Sequence, residues 1–160
     1  MQLWLCPLLA FFLGSIPFGL IIARMNGVDI RQHGSGNIGA TNVMRVMGKK
    51  AGIPCLLLDM LKGFVPVVVA ISLIQFAGMK NPMSIAKLSP LAADFPMVTA
   101  QLFQVATGLL AILGHNYSPW VGFKGGKGIA TSAGVVIAMM PAAIVILLII
   151  WLVVFKITRY

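Results

Sequence analysis

Four apolar runs, Leu3 to Ala23, Ile53 to Ala77, Pro96 to Leu113 and Ala130 to Phe155, dominate what this chain can fold into. Each is close to or above the ~20 residues an α-helix needs to cross a ~30 Å hydrocarbon layer. Composition supports that reading: the 160 residues are 59% hydrophobic and only 9% charged, with a mean hydropathy of +0.99. The sequence therefore predicts an all-α, polytopic membrane protein built as one integral membrane domain, residues 1–160. About five transmembrane segments are expected, some short or kinked, with two Gly-rich polar loops on the cytoplasmic side.

The net charge of +9 comes from 12 Lys and Arg against 3 Asp and Glu. In a soluble protein such an excess would suggest nucleic acid. Here the basic residues flank apolar spans, so membrane lipids and topology account for them and nucleic acid is not expected. Arg24, Arg31, Arg45, Lys49 and Lys50 place the first connection in the cytoplasm. No Lys or Arg precedes Arg24, so Leu3 to Ala23 reads as a retained span, N-terminus outside, rather than a signal peptide. Pro7, Gly14, Pro17 and Gly19 interrupt it and suit a kinked helix. Gly78 to Phe95 reads as an outside loop. Pro141 divides Ala130 to Phe155. A single crossing there would leave Lys156 and Arg159 outside against the positive-inside tendency. The expectation is a hairpin of two short helices, roughly 16 and 21 Å long, returning Tyr160 to the inside. Cys6 and Cys55 fall toward opposite membrane faces, so no disulfide is expected, and no Cys/His cluster suggests a metal.

Two polar stretches carry the candidate chemistry. The first runs Gly34-Ser35-Gly36-Asn37-Ile38-Gly39-Ala40-Thr41-Asn42-Val43-Met44-Arg45. Its glycines let backbone N–H groups converge on one point. If Asn37 caps a helix from Ile38, the positive helix end faces whatever sits beside Ser35 and Gly36. Asn37, Thr41 and Arg45 then share one face, with Asn42 nearby. The second stretch, Gly114 to Gly128, contains His115, Asn116, Lys124, Gly125, Gly126, Lys127 and Gly128. Close backbone approach combined with ammonium charge suits a phosphate ester. It is not a Walker A loop, because Val121 and Gly128 stand where Gly and Ser/Thr are required. Gly34-x-Gly36-x-x-Gly39 matches a dinucleotide-binding pattern without the strand that gives that pattern meaning. Asp59 and Lys62 sit within a span at i, i+3, as functional candidates or as a structural ion pair.

In order and spacing, these residues resemble the bacterial acyl-phosphate-dependent glycerol-3-phosphate acyltransferases. The similarity rests on the first polar stretch, Asp59-x-x-Lys62-Gly63, Gly114-His115 and Lys124-Gly125-Gly126-Lys127-Gly128, and extends from Gly14-Ser15 through Ala130. It implies a multi-pass enzyme of the bacterial cytoplasmic (inner) membrane that moves a fatty acyl group from acyl phosphate to the sn-1 hydroxyl of glycerol 3-phosphate. The product is lysophosphatidic acid, and no cofactor is needed. Ser35 and Arg45 would be catalytic. Gly36, Asn37, Thr41, Asn42, His115, Asn116, Lys124, Gly125, Gly126, Lys127 and Gly128 would bind substrate, with Ser35 positioning rather than acting as nucleophile.

The family continues past the position of Tyr160 into a third polar motif and another apolar segment. On that comparison the 160-residue chain is expected to show little acyltransferase activity by itself. Two other classes compete: a transporter of organophosphates or other anions, and an inactive truncated membrane protein. A transporter would usually show internal repeats and a midplane site, whereas the polar content here gathers on one face.

Overall fold

The computed structural model describes residues 5–76 and 97–158; the expected outside loop at 78–95 and Tyr160 lie outside them. Regular structure among the described residues is entirely helical, in seven α-helices and two short 3-10 turns. In chain order these are α1 (Leu5–Gly14), α2 (Phe18–Met25), α3 (Ala40–Met47), α4 (Lys49–Phe76), α5 (Met97–Asn116), α6 (Ile129–Met139) and α7 (Pro141–Thr158). Three apolar segments among the described residues are long enough to cross a membrane: α1 with α2, α4, and α7.

The first apolar run is not one helix. It breaks at Ser15 to Pro17, where proline cannot continue the backbone ladder. Carbonyls freed inside a span need partners, and three side chains from distant segments serve the break. Ser118 Oγ donates to the Ser15 carbonyl (2.6 Å), Lys62 Nζ donates to the Ile16 carbonyl (2.7 Å), and Trp120 Nε1 donates to Ser15 Oγ (2.8 Å).

Small residues let the long helices approach closely, as membrane packing favours. A Cβ on Gly14 would strike the Ala111 carbonyl, and one on Gly114 would strike that of Phe11, so α1 and α5 touch backbone to backbone. Gly63 meets Thr131 and Gly134 meets Met60 in the same way between α4 and α6.

Two boundaries differ from the sequence expectation. Asn37 does not cap a helix at Ile38: its Oδ1 accepts the Gly39 N–H at 2.8 Å, and α3 begins at Ala40 with Gly39 as N-cap. A short Asx side chain satisfies its own backbone locally, which competes with starting a helix. Helix α5 runs on through Gly114, His115 and Asn116 instead of ending at Leu113. The Gly125 and Gly126 N–H groups then bond the Asn116 and His115 carbonyls (3.0 and 3.1 Å), satisfying acceptors a helix end leaves open.

The expected division of Ala130 to Phe155 at Pro141 is present, as helices α6 and α7. The chain breaks at Met140, just before Pro141. An arm folded back along α6 would bury one face, yet α7 has no buried residue and its side chains from Val145 to Phe155 are all exposed. Helix α7 extends beyond its joint with α6, and the two together measure roughly 45 Å at 1.5 Å per residue.

Candidate anion-binding site

The two polar stretches meet at one end of the helix bundle. Between them lies a cavity of about 340 Å³, within the size range of small-molecule sites. Ser35, Asn37, Thr41, Asn42 and Arg45 line it from the first stretch, and His115, Lys127 and Gly128 from the second. Ser35, Arg45 and Lys127, more than 80 positions apart at the extremes, therefore share one wall system.

Helix geometry makes the cavity electropositive. Gly39, Ala40 and Thr41, the beginning of α3, line one side; Gly128, Ile129 and Ala130, the beginning of α6, line another. First-turn N–H groups have no intrahelical acceptor and carry the positive end of the helix dipole. Arg45 and Lys127 add two exposed cations. Such a combination favours an anion, above all one with several acceptor oxygens.

Asn42 holds the first loop together. It is 2% exposed. Its Oδ1 accepts the Ser35 N–H at 2.8 Å, and its Nδ2 donates to the carbonyls of Asn37 (2.9 Å), His33 (3.0 Å) and Ile30 (3.3 Å). Those bonds fix Ser35 at the cavity edge and leave Asn42 a positioning residue. Gly34 has φ +61°, and a Cβ there would collide with the Asn42 carboxamide, so this turn requires glycine.

Gly36, Asn116, Lys124, Gly125 and Gly126 do not line the cavity. The Gly36 N–H is engaged by the His33 carbonyl at 3.1 Å. Gly125 and Gly126 are spent on the end of α5, and a Cβ on Gly126 would run into the His115 ring. Lys124 points to solvent as an exposed residue. Asn116 has a buried Oδ1 without a hydrogen-bond partner beside Gly128.

Sequence reasoning assigned no site role to Leu56, Ile129 or Ala130, which complete the wall. No signal beyond adjacency to Lys127 and Gly128 pointed to the last two. Asp59 also lines the cavity. Its Oδ1 lies 2.8 Å from Lys62 Nζ and 3.7 Å from His115 Nδ1, and its Oδ2 accepts a weak bond from Cys55 Sγ at 3.8 Å. No cluster of three or more His, Cys, Asp or Glu residues able to hold a metal occurs among the described residues.

A family model described as glycerol-3-phosphate acyltransferase matches residues 4–160. Proteins of that name from Myxococcus xanthus and Aquifex aeolicus are 43% and 42% identical, over 95% and 94% of this chain and 68% and 67% of their own lengths. Two crystal structures of an integral membrane glycerol 3-phosphate acyltransferase, in glycerol 3-phosphate and lysophosphatidic acid forms, superpose with TM-scores of 0.76 and 0.74 at 38% identity. This chain is covered to 98% and 97% in those matches, and the solved chains to 66% and 65%, so it spans about two thirds of their length.

Proposed function

Because the chain belongs to the glycerol-3-phosphate acyltransferase family, we propose that its cavity aligns glycerol 3-phosphate with an acyl phosphate and transfers the acyl group to the sn-1 hydroxyl. Lysophosphatidic acid and inorganic phosphate are the products, at the entry to phospholipid synthesis. One observation carries this reading: Arg45, Lys127 and the beginnings of two helices border a single cavity.

Acyl phosphate is a mixed anhydride, already activated, so the reaction needs no cofactor and no covalent enzyme intermediate. What it needs is two anions held together with hydroxyl facing carbonyl, and alignment of that kind lowers barriers by several kcal/mol. Arg45 offers a planar fork to phosphate oxygens and Lys127 a compact charge. Both oppose phosphate–phosphate repulsion and stabilise the leaving phosphate. Ser35, its backbone pinned by Asn42, presents a hydroxyl for orienting a phosphate or the developing oxyanion. Thr41, on the same helix face as Arg45, supplies a second hydroxyl. Gly36, Gly125 and Gly126 act indirectly, by keeping the loops close enough to form the wall.

Topology belongs to the same reading. The polar loops face the cytoplasm of a bacterial inner membrane, the N-terminus lies outside, and residues 1–160 act as one integral membrane domain. Gathering of the cavity residues at one end of the bundle supports an interfacial enzyme over a transporter, whose site is expected near the bilayer midplane. The test is direct: protein in lipid nanodiscs, acyl phosphate, labelled glycerol 3-phosphate, and lysophosphatidic acid as readout. Product dependent on Arg45 is expected, at a low rate from residues 1–160 alone and at a higher rate when they are extended with the remaining third of a full-length relative. Uptake of glycerol 3-phosphate into proteoliposomes without product would overturn the assignment.

A further inference from the structure

A stripe of exposed apolar side chains runs along α5 and does not stop where the helix does. Leu102, Val105, Leu109 and Leu113 are all exposed and recur at three- or four-residue steps, which keeps them on one face. Gln104, Thr107 and Ala111, on the other face, are buried. Tyr117 comes next, four residues on and also exposed. Its N–H bonds the Leu113 carbonyl at 2.8 Å, so the helical register carries into the loop. Trp120 follows in the 3-10 turn Pro119–Val121 and is 66% exposed; Phe123 lies three residues further and is 62% exposed. Single exposed apolar residues need no explanation, but a continuous stripe does.

The end of the stripe is firmly built. The Trp120 indole N–H donates to Ser15 Oγ at 2.8 Å, and Ser118 Oγ donates to the Ser15 carbonyl at 2.6 Å. The loop is therefore tied to the break in the first apolar run. With its one donor engaged inside the protein, Trp120 presents only ring carbon outward. Phe123 is the one non-glycine among the described residues with a positive φ, +62°, a conformation that crowds the Cβ of a bulky residue. Its N–H is held by the Ser118 carbonyl at 2.9 Å. Burial within the protein offsets little of that cost, because most of the ring lies outside.

We propose that Trp120 and Phe123 insert into the lipid interface at the cavity end of the bundle, making the connection between α5 and α6 a shallow membrane anchor. Lipid is the occupant favoured over a protein partner, because the stripe continues the apolar outer face of α5 and ends at an exposed cation, Lys124. Aromatic rings favour the boundary between acyl chains and headgroups, and a lysine beside them reaches anionic lipid phosphates. The same loop runs on through Gly125 and Gly126, bonded to the end of α5, to Lys127 on the cavity wall. Anchoring it sets the cavity rim at headgroup depth. The inference needs α5 in the bilayer and is independent of the reaction assigned to the cavity.

Two measurements test the anchor. In a W4F/W151F background Trp120 is the sole tryptophan, and its emission is recorded in phosphatidylcholine–phosphatidylglycerol nanodiscs containing spin-labelled lipids. Quenching should be strongest from a label near the ester carbonyls, at the ~5–10 Å depth of interfacial apolar faces. A label at the chain end and aqueous iodide should both quench less. Iodide quenching equal to that of a free tryptophan amide, with none from lipid labels, would mark a water-facing patch suited to a protein partner and overturn the proposal. Strongest quenching from the chain end would place Trp120 on the flank of a span and overturn it as well. The second measurement uses a different background, so a tryptophan variant that fails to fold leaves it standing. With Cys6 and Cys55 replaced, a nitroxide on F123C is compared with one on L109C. Oxygen should relax both more than a water-soluble nickel chelate does, with position 123 the shallower of the two. A label at 123 relaxed mainly by the chelate overturns the proposal.

Discussion

Lys62 Nζ sits 2.8 Å from Asp59 Oδ1, three residues away on α4, with both side chains at least 96% buried. The same ammonium donates to the Ile16 carbonyl at 2.7 Å, where the first transmembrane run is broken. One cation therefore neutralises a carboxylate on the cavity wall and satisfies an orphan acceptor in a span.

The first prediction follows from that double duty. K62M should destabilise the protein by about 3–5 kcal/mol, the usual cost of removing one partner of a buried pair. The double variant D59N/K62M should recover part of the loss, because no uncompensated charge remains. Thermal unfolding in detergent measures both, and a K62M melting temperature equal to wild type would refute the pairing.

The second prediction concerns Arg45. R45K keeps the charge and loses the bidentate fork. Loss of one charge-assisted contact worth about 1.5–3 kcal/mol should lower kcat/KM for glycerol 3-phosphate roughly ten- to a hundredfold. S35A should fall by a similar or smaller factor, because a positioning hydroxyl is less critical than a nucleophile. Complete loss in S35A, with folding intact, would restore the nucleophile reading that Ser35 lacks a base to support.

How much of this could be read from the sequence depends on which force decided each element. The all-helical class and the long apolar segments follow from hydrophobic length, and the meeting of Ser35, Arg45 and Lys127 at one cavity followed from two phosphate-friendly stretches. Asn37 and Asn42 were less legible. Both look like caps or ligands by residue type, yet Asn37 closes its own turn and Asn42 bonds four backbone groups from Ile30 to Asn37. The choice among those partners is made by tertiary geometry. Likewise Gly125 and Gly126 resemble phosphate-cradling glycines, but the unsatisfied end of α5 claims their N–H groups first.

A third prediction separates packing glycines from the rest. G134A places a methyl against the Met60 carbonyl and the Phe64 backbone. Neither can retreat without moving α4 from α6, so a loss of about 1–3 kcal/mol is expected. Gly48 has open space around its Cβ position and is strained only through its backbone, φ +79° with ψ −179°, so G48A should cost about 1–3 kcal/mol and leave helix packing unchanged. Unfolding midpoints of the two variants, with cysteine cross-linking between α4 and α6, would distinguish these effects. Unaltered cross-linking in G134A would show that the close approach is not required.

The last prediction is topological and reverses the hairpin expectation. Lys49 and Lys124 flank elements that build the cavity, so both should lie in the cytoplasm with Arg45 and Lys127. Helix α6 starts at that face, at Ile129. Its eleven residues advance only ~16 Å, about half of a ~30 Å hydrocarbon layer. Helix α7 adds 18 residues, none buried, or ~27 Å more. An exposed apolar surface of that kind needs lipid on all sides, and lipid is available only if α7 stays in the bilayer. Continuing across satisfies this and carries Lys156 to the outer surface, while returning would drive the end of α7 well past the cytoplasmic interface. Two cations there, since Arg159 follows Lys156 in the sequence, run against the positive-inside tendency, which biases orientation without fixing each loop. Single cysteines at positions 49, 124 and 156, in a background lacking Cys6 and Cys55, can be treated in intact cells with a membrane-impermeant maleimide. Labelling at 156 alone is expected. Protection of 156 with labelling only after permeabilisation would restore the hairpin.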